Sequence, residues 1–104
     1  MTVTLEDLAD YVGASPSEPT LALIFEAAPT MINDHLGQRG RQKIPAATYD
    51  LAVLQLGSEL WIRRNSPGGV MSWANGDVPA RLAADAMRSV RPMIDRYKGL
   101  GTPG

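Results

Sequence analysis

His35 is the only imidazole in the 104-residue chain, and it lies between Asp34 and Leu36. A catalytic or metal site needs further polar groups, and no carboxylate except Asp34 stands at a useful spacing from it. The absence of cysteine excludes a thiol nucleophile, a thiolate metal site and a disulfide framework. Gly68-Gly69 is not followed by Lys-Ser/Thr, so it indicates a turn rather than a phosphate loop. We therefore predict no enzyme activity, no metal and no cofactor, with His35 in a structural or solvated position.

A different kind of chemistry, binding to a macromolecule, is suggested by tryptophan and arginine near the middle of the chain. Both residue types are enriched at binding hot spots. Trp61 also suits core packing, and Arg63 and Arg64 suit the end of a helix, where cations contribute about 0.3–1 kcal/mol each. Trp73 stands in a polar segment, which favours an interface. The candidate interface residues are Trp61, Arg63, Arg64, Val70, Met71 and Trp73.

A polar face of mixed sign runs along the last predicted helix. Its charged residues are three or four positions apart: Arg81, Asp85, Arg88, Arg91, Asp95 and Lys98. Interspersed signs are typical of a solvated face. A domain that reads DNA sequence is normally more basic than this chain, whose formal net charge is −1. For both reasons, a small helical nucleic-acid-binding or regulatory domain is the alternative function and not the preferred one.

The small net charge hides a strong division along the chain. The first 34 residues contain six of the 11 carboxylates and no lysine or arginine, whereas all ten lysines and arginines follow. The two parts therefore carry charges of about −6 and +5. This polarity predicts a partner, and another copy of the chain is one candidate.

Two helices are predicted in the acidic part. The first begins after Thr4, with Asp7 completing a capping box, and ends at Gly13. The second is expected over residues 20–36 and ends at Gly37, and Pro29 should kink or break it near residues 25–28. Residues 38–43 are predicted to be a loop.

Two further helices are predicted in the basic part. Ile44-Pro45 opens a helix over residues 46–64, which is so apolar that it should pack on more than one side. The last helix is expected from about Pro79 to Lys98, with a possible kink at Pro92. Its predicted inward-facing residues are Leu82, Ala86, Val90, Met93, Ile94 and Tyr97.

The fold class predicted from these elements is all-α, a small bundle of about four helices with a long loop before the last helix and an extended C-terminal tail. Residues 1–98 would form one domain, and residues 99–104 the tail. The loop, residues 66–78, exceeds what usually joins two helices. The longest apolar run, residues 21–25, is too short to cross a membrane, and no signal peptide is evident. We expect a soluble protein of a reducing compartment.

Four segments of the chain resemble the head-to-tail adaptor proteins of tailed bacteriophages, the head-tail connector family. The main segment begins at Ile44-Pro45, continues through residues 49–53 and ends with residues 60–69. The short acidic helix ending at Gly13, the second helix closing on Leu36-Gly37, and Arg91-Pro92-Met93-Ile94 also fit. The resemblance covers most of the chain and is one of order and spacing, while Pro29 departs from the pattern.

This resemblance implies a structural virion protein of the phage neck, present in the host cytoplasm during assembly. It implies a homo-oligomeric ring, commonly a dodecamer, that binds the portal protein and a stopper or tail-completion protein. Genome DNA would pass through the central channel with non-specific contacts, and no membrane would be involved. We expect residues 66–78 to contact neighbouring subunits or the next neck ring. The expected portal-binding residues are Tyr97, Lys98, Gly99, Leu100, Gly101, Thr102, Pro103 and Gly104.

Overall fold

The structure, a computed structural model, describes residues 3–63 and 86–98. These ranges contain the helices α1 (Leu5–Val12), α2 (Pro19–Lys43), α3 (Ala46–Ile62) and α4 (Arg91–Ile94). A 3₁₀ turn, Asp95–Tyr97, follows α4 directly. Neither described range contains a strand, and the predicted small all-α bundle is confirmed. The predicted loop at residues 66–78 and the tail lie outside the described residues.

Helix α1 is delimited by its own sequence. The backbone N–H of Asp7 donates to Thr4 Oγ1 at 3.2 Å, and the N–H of Thr4 donates to Asp7 Oδ2 at 2.9 Å. This reciprocal pair is the predicted capping box. Gly13 ends the helix with φ 74° and ψ 35°, and its N–H donates to the Ala9 carbonyl. Both predicted ends of α1 are therefore confirmed.

Helix α2 extends beyond its predicted end. Gly37 does leave the helical conformation, with φ 73° and ψ 173°, but residues 38–43 form a further helical turn. The predicted loop at these residues is wrong. Ile44 is buried, and its N–H closes the turn on the Gly40 carbonyl at 3.0 Å. The burial of Ile44 thus helps to hold a polar turn that the sequence pattern assigned to a loop.

Pro29 does not break α2. Residues 25–28 stay helical, and Gly37 rather than Pro29 is the position where the backbone leaves the helix. Proline removes one hydrogen bond, to the Phe25 carbonyl, at a cost of about 3 kcal/mol. Ile24 and Ile32, on either side of the proline, are fully buried. Their burial anchors the helix to the core on both sides of the proline, and the predicted break near residues 25–28 is wrong.

Helix α3 is the central element, since it contacts α1, α2 and α4. Packing on more than one side was predicted from its apolar sequence and is confirmed. Pro45 precedes the helix, as predicted, and the last helical residue is Ile62 rather than Arg64. Gly57 permits close approach of α1, because a Cβ at this position would lie 2.7 Å from Leu8 Cδ1. The largest side chains that α1, α2 and α3 bury fully are Leu8, Leu21, Ile24, Ile32, Leu36, Leu56 and Leu60.

The C-terminal segment is not one continuous helix. Residues 86–87 are helical, residues 88–90 form a turn, and α4 begins only at Arg91. Pro92 has no N–H to donate to the Arg88 carbonyl four residues earlier, and its ring crowds that carbonyl. The predicted helix to Lys98 is therefore interrupted one turn before the proline rather than merely kinked.

The inward face predicted for this segment is largely correct despite the interruption. Ala86, Val90 and Ile94 are buried, and Met93 and Tyr97 pack partly buried against the core. Leu82 lies outside the described residues. The apolar spacing therefore identified the buried residues even though the backbone changes conformation between them.

Candidate interaction surfaces

His35 connects α2 to the C-terminal 3₁₀ turn. Its Nε2 lies 2.5 Å from Asp95 Oδ1, and its side chain is 17% exposed. Asp95 also lies within 3.7 Å of Arg91 Nε, in a pair that is about half exposed at each end. No local pattern in the sequence predicts the contact with Asp95, which is 60 residues away. Within residues 3–63 and 86–98, no group of three or more potential ligands is placed to hold a metal ion.

The polar side chains at the end of α3 contact other groups of the same helix. Arg63 pairs with the Glu59 carboxylate one turn earlier, and its guanidinium donates to the Glu59 carbonyl at 3.1 Å. This is the helix-end role considered for Arg63. Trp61 packs partly buried against the core, whereas Ile62 is 70% exposed. The assignment of Trp61 and Arg63 to an interface stays a prediction.

The described part of the predicted portal-binding region is small. Tyr97 packs partly against the core, with the Arg96 guanidinium 5.5 Å from its ring centre, and Lys98 is exposed. The other candidates in the tail, residues 99–104, lie outside the described residues. So do four interface candidates, Arg64, Val70, Met71 and Trp73. Their assignments stay predictions.

Residues 38–43 form a surface that we call the basic turn. Arg41 stacks its guanidinium carbon 3.7 Å from the ring centre of Tyr49 at the start of α3. Tyr49 in turn donates its hydroxyl to Asn33 Oδ1 at 2.9 Å. Arg39 and Lys43 are exposed. The stacking fixes the turn against α2 and α3 and leaves two cations directed at solvent.

A second surface, the α1–α3 groove, lies between the first and third helices and has a volume of about 620 Å³. Its apolar lining consists of Val3, Tyr11, Ala47, Leu51 and Leu54. Three carboxylates, those of Asp7, Asp10 and Asp50, lie along it. The Tyr11 hydroxyl donates to Gln55 Oε1 at 3.3 Å, which holds this ring at the edge of the groove.

This groove was not predicted from the sequence. The charge count includes the acidic residues of α1, but their proximity to Asp50 and Leu51 depends on α1 lying across α3. The apolar residues Ala47, Leu51 and Leu54, of which the first two are exposed and the third is partly buried, recur at helical spacing, and that stripe was the available signal. It is separate from the buried stripe of α3.

The groove and the basic turn lie on different sides of α3. Ala47 lines the groove and Tyr49 supports the basic turn. Two residues correspond to about 200° around an α-helix, so Ala47 and Leu51 leave α3 in directions nearly opposite to that of Tyr49, whereas Asp50 lies about 100° from Tyr49. The apolar lining that α3 contributes to the groove therefore faces away from the basic turn.

No family model matches this chain, and no curated protein and no solved structure is similar to it. No helix in residues 3–63 and 86–98 is long and apolar enough to cross a membrane.

Proposed function

We propose that this protein is a head-to-tail adaptor of a tailed bacteriophage. Copies of the chain form a ring between the portal protein and a stopper or tail-completion protein, with the DNA channel through the centre. The proposal starts from the resemblance of residues 44–69 and of the flanking helix ends to the connector family. The observation that carries it furthest is the separation of an acidic groove and a basic turn by α3.

This arrangement suits a ring because a head-to-tail contact joins two different surfaces of each subunit. Repetition of such a contact closes into a ring when the rotation between neighbours permits it. Opposite charges on the two surfaces favour that contact over pairing of like surfaces. A subunit with an acidic and a basic side is therefore better suited to a ring than to a two-fold dimer.

Charge alone would not supply enough affinity. Exposed ion pairs contribute about 0–1 kcal/mol each. The remaining affinity comes from the apolar surface along the groove. Tyr11 and Leu51 are 47% and 49% exposed in the single chain and can be covered by a neighbour. Covering these side chains contributes about 25 cal/mol per Å² of apolar area removed from water.

Native mass spectrometry of the protein, alone and mixed with the portal protein of the same phage, tests this function. We expect a closed ring, commonly of about twelve copies in the connector family, bound to the portal. A protein that stays monomeric and unbound in the presence of portal contradicts the proposal.

Deletion of residues 99–104 gives a second test. We expect portal attachment to be lost while the circular dichroism spectrum of the monomer is retained.

The alternative is a nucleic-acid-binding domain, which the mixed-sign C-terminal face would serve. In the described residues, Arg91 is engaged with Asp95, and the turn at residues 88–90 interrupts the helical face. Binding to duplex DNA at several salt concentrations distinguishes the two functions. Sub-micromolar, steeply salt-dependent binding supports the alternative, and weak binding together with portal-bound rings supports the adaptor.

A further inference from the structure

The α1–α3 groove combines an exposed apolar surface with carboxylates that have no lysine or arginine of residues 3–63 and 86–98 beside them. Tyr11 and Leu51 are two of the four most exposed large hydrophobic residues in residues 3–63 and 86–98. The groove is lined by three aspartates and by no lysine or arginine of the described ranges. A surface of this composition fits a partner segment that carries cations next to apolar atoms.

The carboxylates of two of the three aspartates have no partner in the described part of the chain. The Asp7 carboxylate completes the capping box of α1, whereas the carboxylates of Asp10 and Asp50 make no hydrogen bond or ion pair with a described residue. Asp10 also lies in the last turn of α1, where the helix dipole disfavours a carboxylate. The Asp10 carboxylate therefore lowers the stability of α1, and a cation from another chain beside this carboxylate would compensate for that effect.

The basic turn has the complementary composition. Arg39 and Lys43 are exposed and pair with no carboxylate of the described residues. Between them, Arg41 is held on Tyr49, so the turn has a fixed shape on which its two outer cations are presented. Long lysine and arginine side chains can also cover apolar surface with their methylene groups while their charged ends reach carboxylates.

We propose that the α1–α3 groove of one copy receives the basic turn of the next copy in the ring. In this contact, Arg39 and Lys43 approach Asp10 and Asp50, and their methylene groups cover Tyr11 and Leu51. Tyr49, which supports the basic turn, and Leu51, which lines the groove, leave α3 in nearly opposite directions, so the turn does not reach the apolar lining of its own groove. The inference rests on the proposed ring and identifies the two surfaces that join its subunits.

A charge-reversal experiment in the full chain tests this contact. One variant carries Asp10→Lys and Asp50→Lys, and a second carries Arg39→Glu and Lys43→Glu. Each variant opposes like charges at every contact, so we expect each to need at least about tenfold more protein than the wild type for ring assembly with portal. An equimolar mixture should assemble again, because every groove then finds a turn of opposite charge.

The mixed rings have a distinctive composition. The two variants should alternate, so native mass spectrometry should find them in equal numbers in each ring. The matched control is Glu26→Lys with Asp34→Lys, which changes the net charge by the same amount at exposed positions outside the groove. This control should assemble like the wild type.

The outcomes separate this inference from the proposed function. Wild-type rings together with normal assembly of both reversed variants, or with no recovery on mixing, overturn the groove contact and leave the adaptor proposal standing. Absence of wild-type rings with portal overturns both. If a reversed variant does not fold by circular dichroism, the neutral variant Asp10→Asn with Asp50→Asn takes its place. Assembly of that neutral variant at the wild-type concentration overturns the contact, and a several-fold increase supports it.

Discussion

The α1–α3 groove and the basic turn lie on either side of the same helix but are built in different ways. The groove exists because α1 approaches α3 closely at Gly57, where a Cβ would lie 2.7 Å from Leu8 Cδ1. The basic turn exists because Gly37 redirects the chain and Arg41 then stacks on Tyr49. One surface thus depends on packing between distant segments, and the other on a backbone conformation and a local contact. Substitutions at the two surfaces should therefore lower the free energy of unfolding by different amounts.

The largest effect is expected at the helix junction beneath the groove. Leu8 is completely buried. Leu8→Ala removes buried methyl groups and leaves a cavity, so the free energy of unfolding should fall by about 2–5 kcal/mol. Urea denaturation followed by circular dichroism measures this change. A loss of less than about 0.5 kcal/mol, the range of most surface substitutions, would show that the junction does not support α1.

A double-mutant cycle with Gly57→Ala sharpens this result. Alanine gains about 1 kcal/mol over glycine in a helix, but here its Cβ would meet Leu8. Gly57→Ala should therefore be more favourable in the Leu8→Ala background than in the wild type. Additive effects of the two substitutions would contradict the close contact.

A smaller effect is expected where Gly37 starts the basic turn. Its φ of 73° and ψ of 173° lie in a region that is essentially restricted to glycine. Gly37→Asn should cost about 1–3 kcal/mol of stability. The matched control is Gly13→Asn, because Gly13 has a left-handed conformation that asparagine tolerates.

The comparison of the two asparagine variants isolates the effect of backbone conformation on stability. A Cβ would meet no atom within 4 Å at either position, so side-chain crowding does not contribute. Thermal and urea denaturation should rank Gly37→Asn as the more destabilised protein. The reverse order would show that the basic turn does not depend on this backbone conformation.

The smallest effect is expected for the contact that holds the basic turn in place. Arg41→Gln removes the guanidinium from the Tyr49 ring and should cost about 0.5–1 kcal/mol, as for other exposed cation–π contacts. Arg39→Gln is the matched control, since Arg39 is exposed on the same turn. Urea denaturation of the two variants measures the difference. Equal stabilities would mean that the stacking contributes nothing to the fold.

Much of the fold was predictable because its signals are local. The capping box at Thr4, the glycine at position 13 and the helical spacing of apolar residues each depend on neighbours within one or two turns. The buried residues of the C-terminal segment were found in the same way. Two errors, at Pro29 and at residues 38–43, arose where packing of Ile32 or Ile44 outweighed the local preference.

The candidate surfaces were predictable only in part. The charge count divided the chain into an acidic and a basic portion, and residues 38–43 contain three of the ten cations, Arg39, Arg41 and Lys43. The charge count does not predict the proximity of α1 to Asp50, the stacking of Arg41 on Tyr49, or the pairing of His35 with Asp95. The first and the last of these contacts join segments that are distant in sequence, and the stacking depends on how the turn after Gly37 packs beside α3.

The all-helical class, the ends of α1 and the apolar stripes could be predicted from backbone preference and from the burial of apolar side chains at a fixed helical period. The polarity of charge is visible in the residue counts. Which carboxylates share a groove, and which side of α3 packs against the basic turn, depends on tertiary packing. The physical reason is that helix contacts depend on the fit of side chains across the junction, such as Leu8 against Gly57.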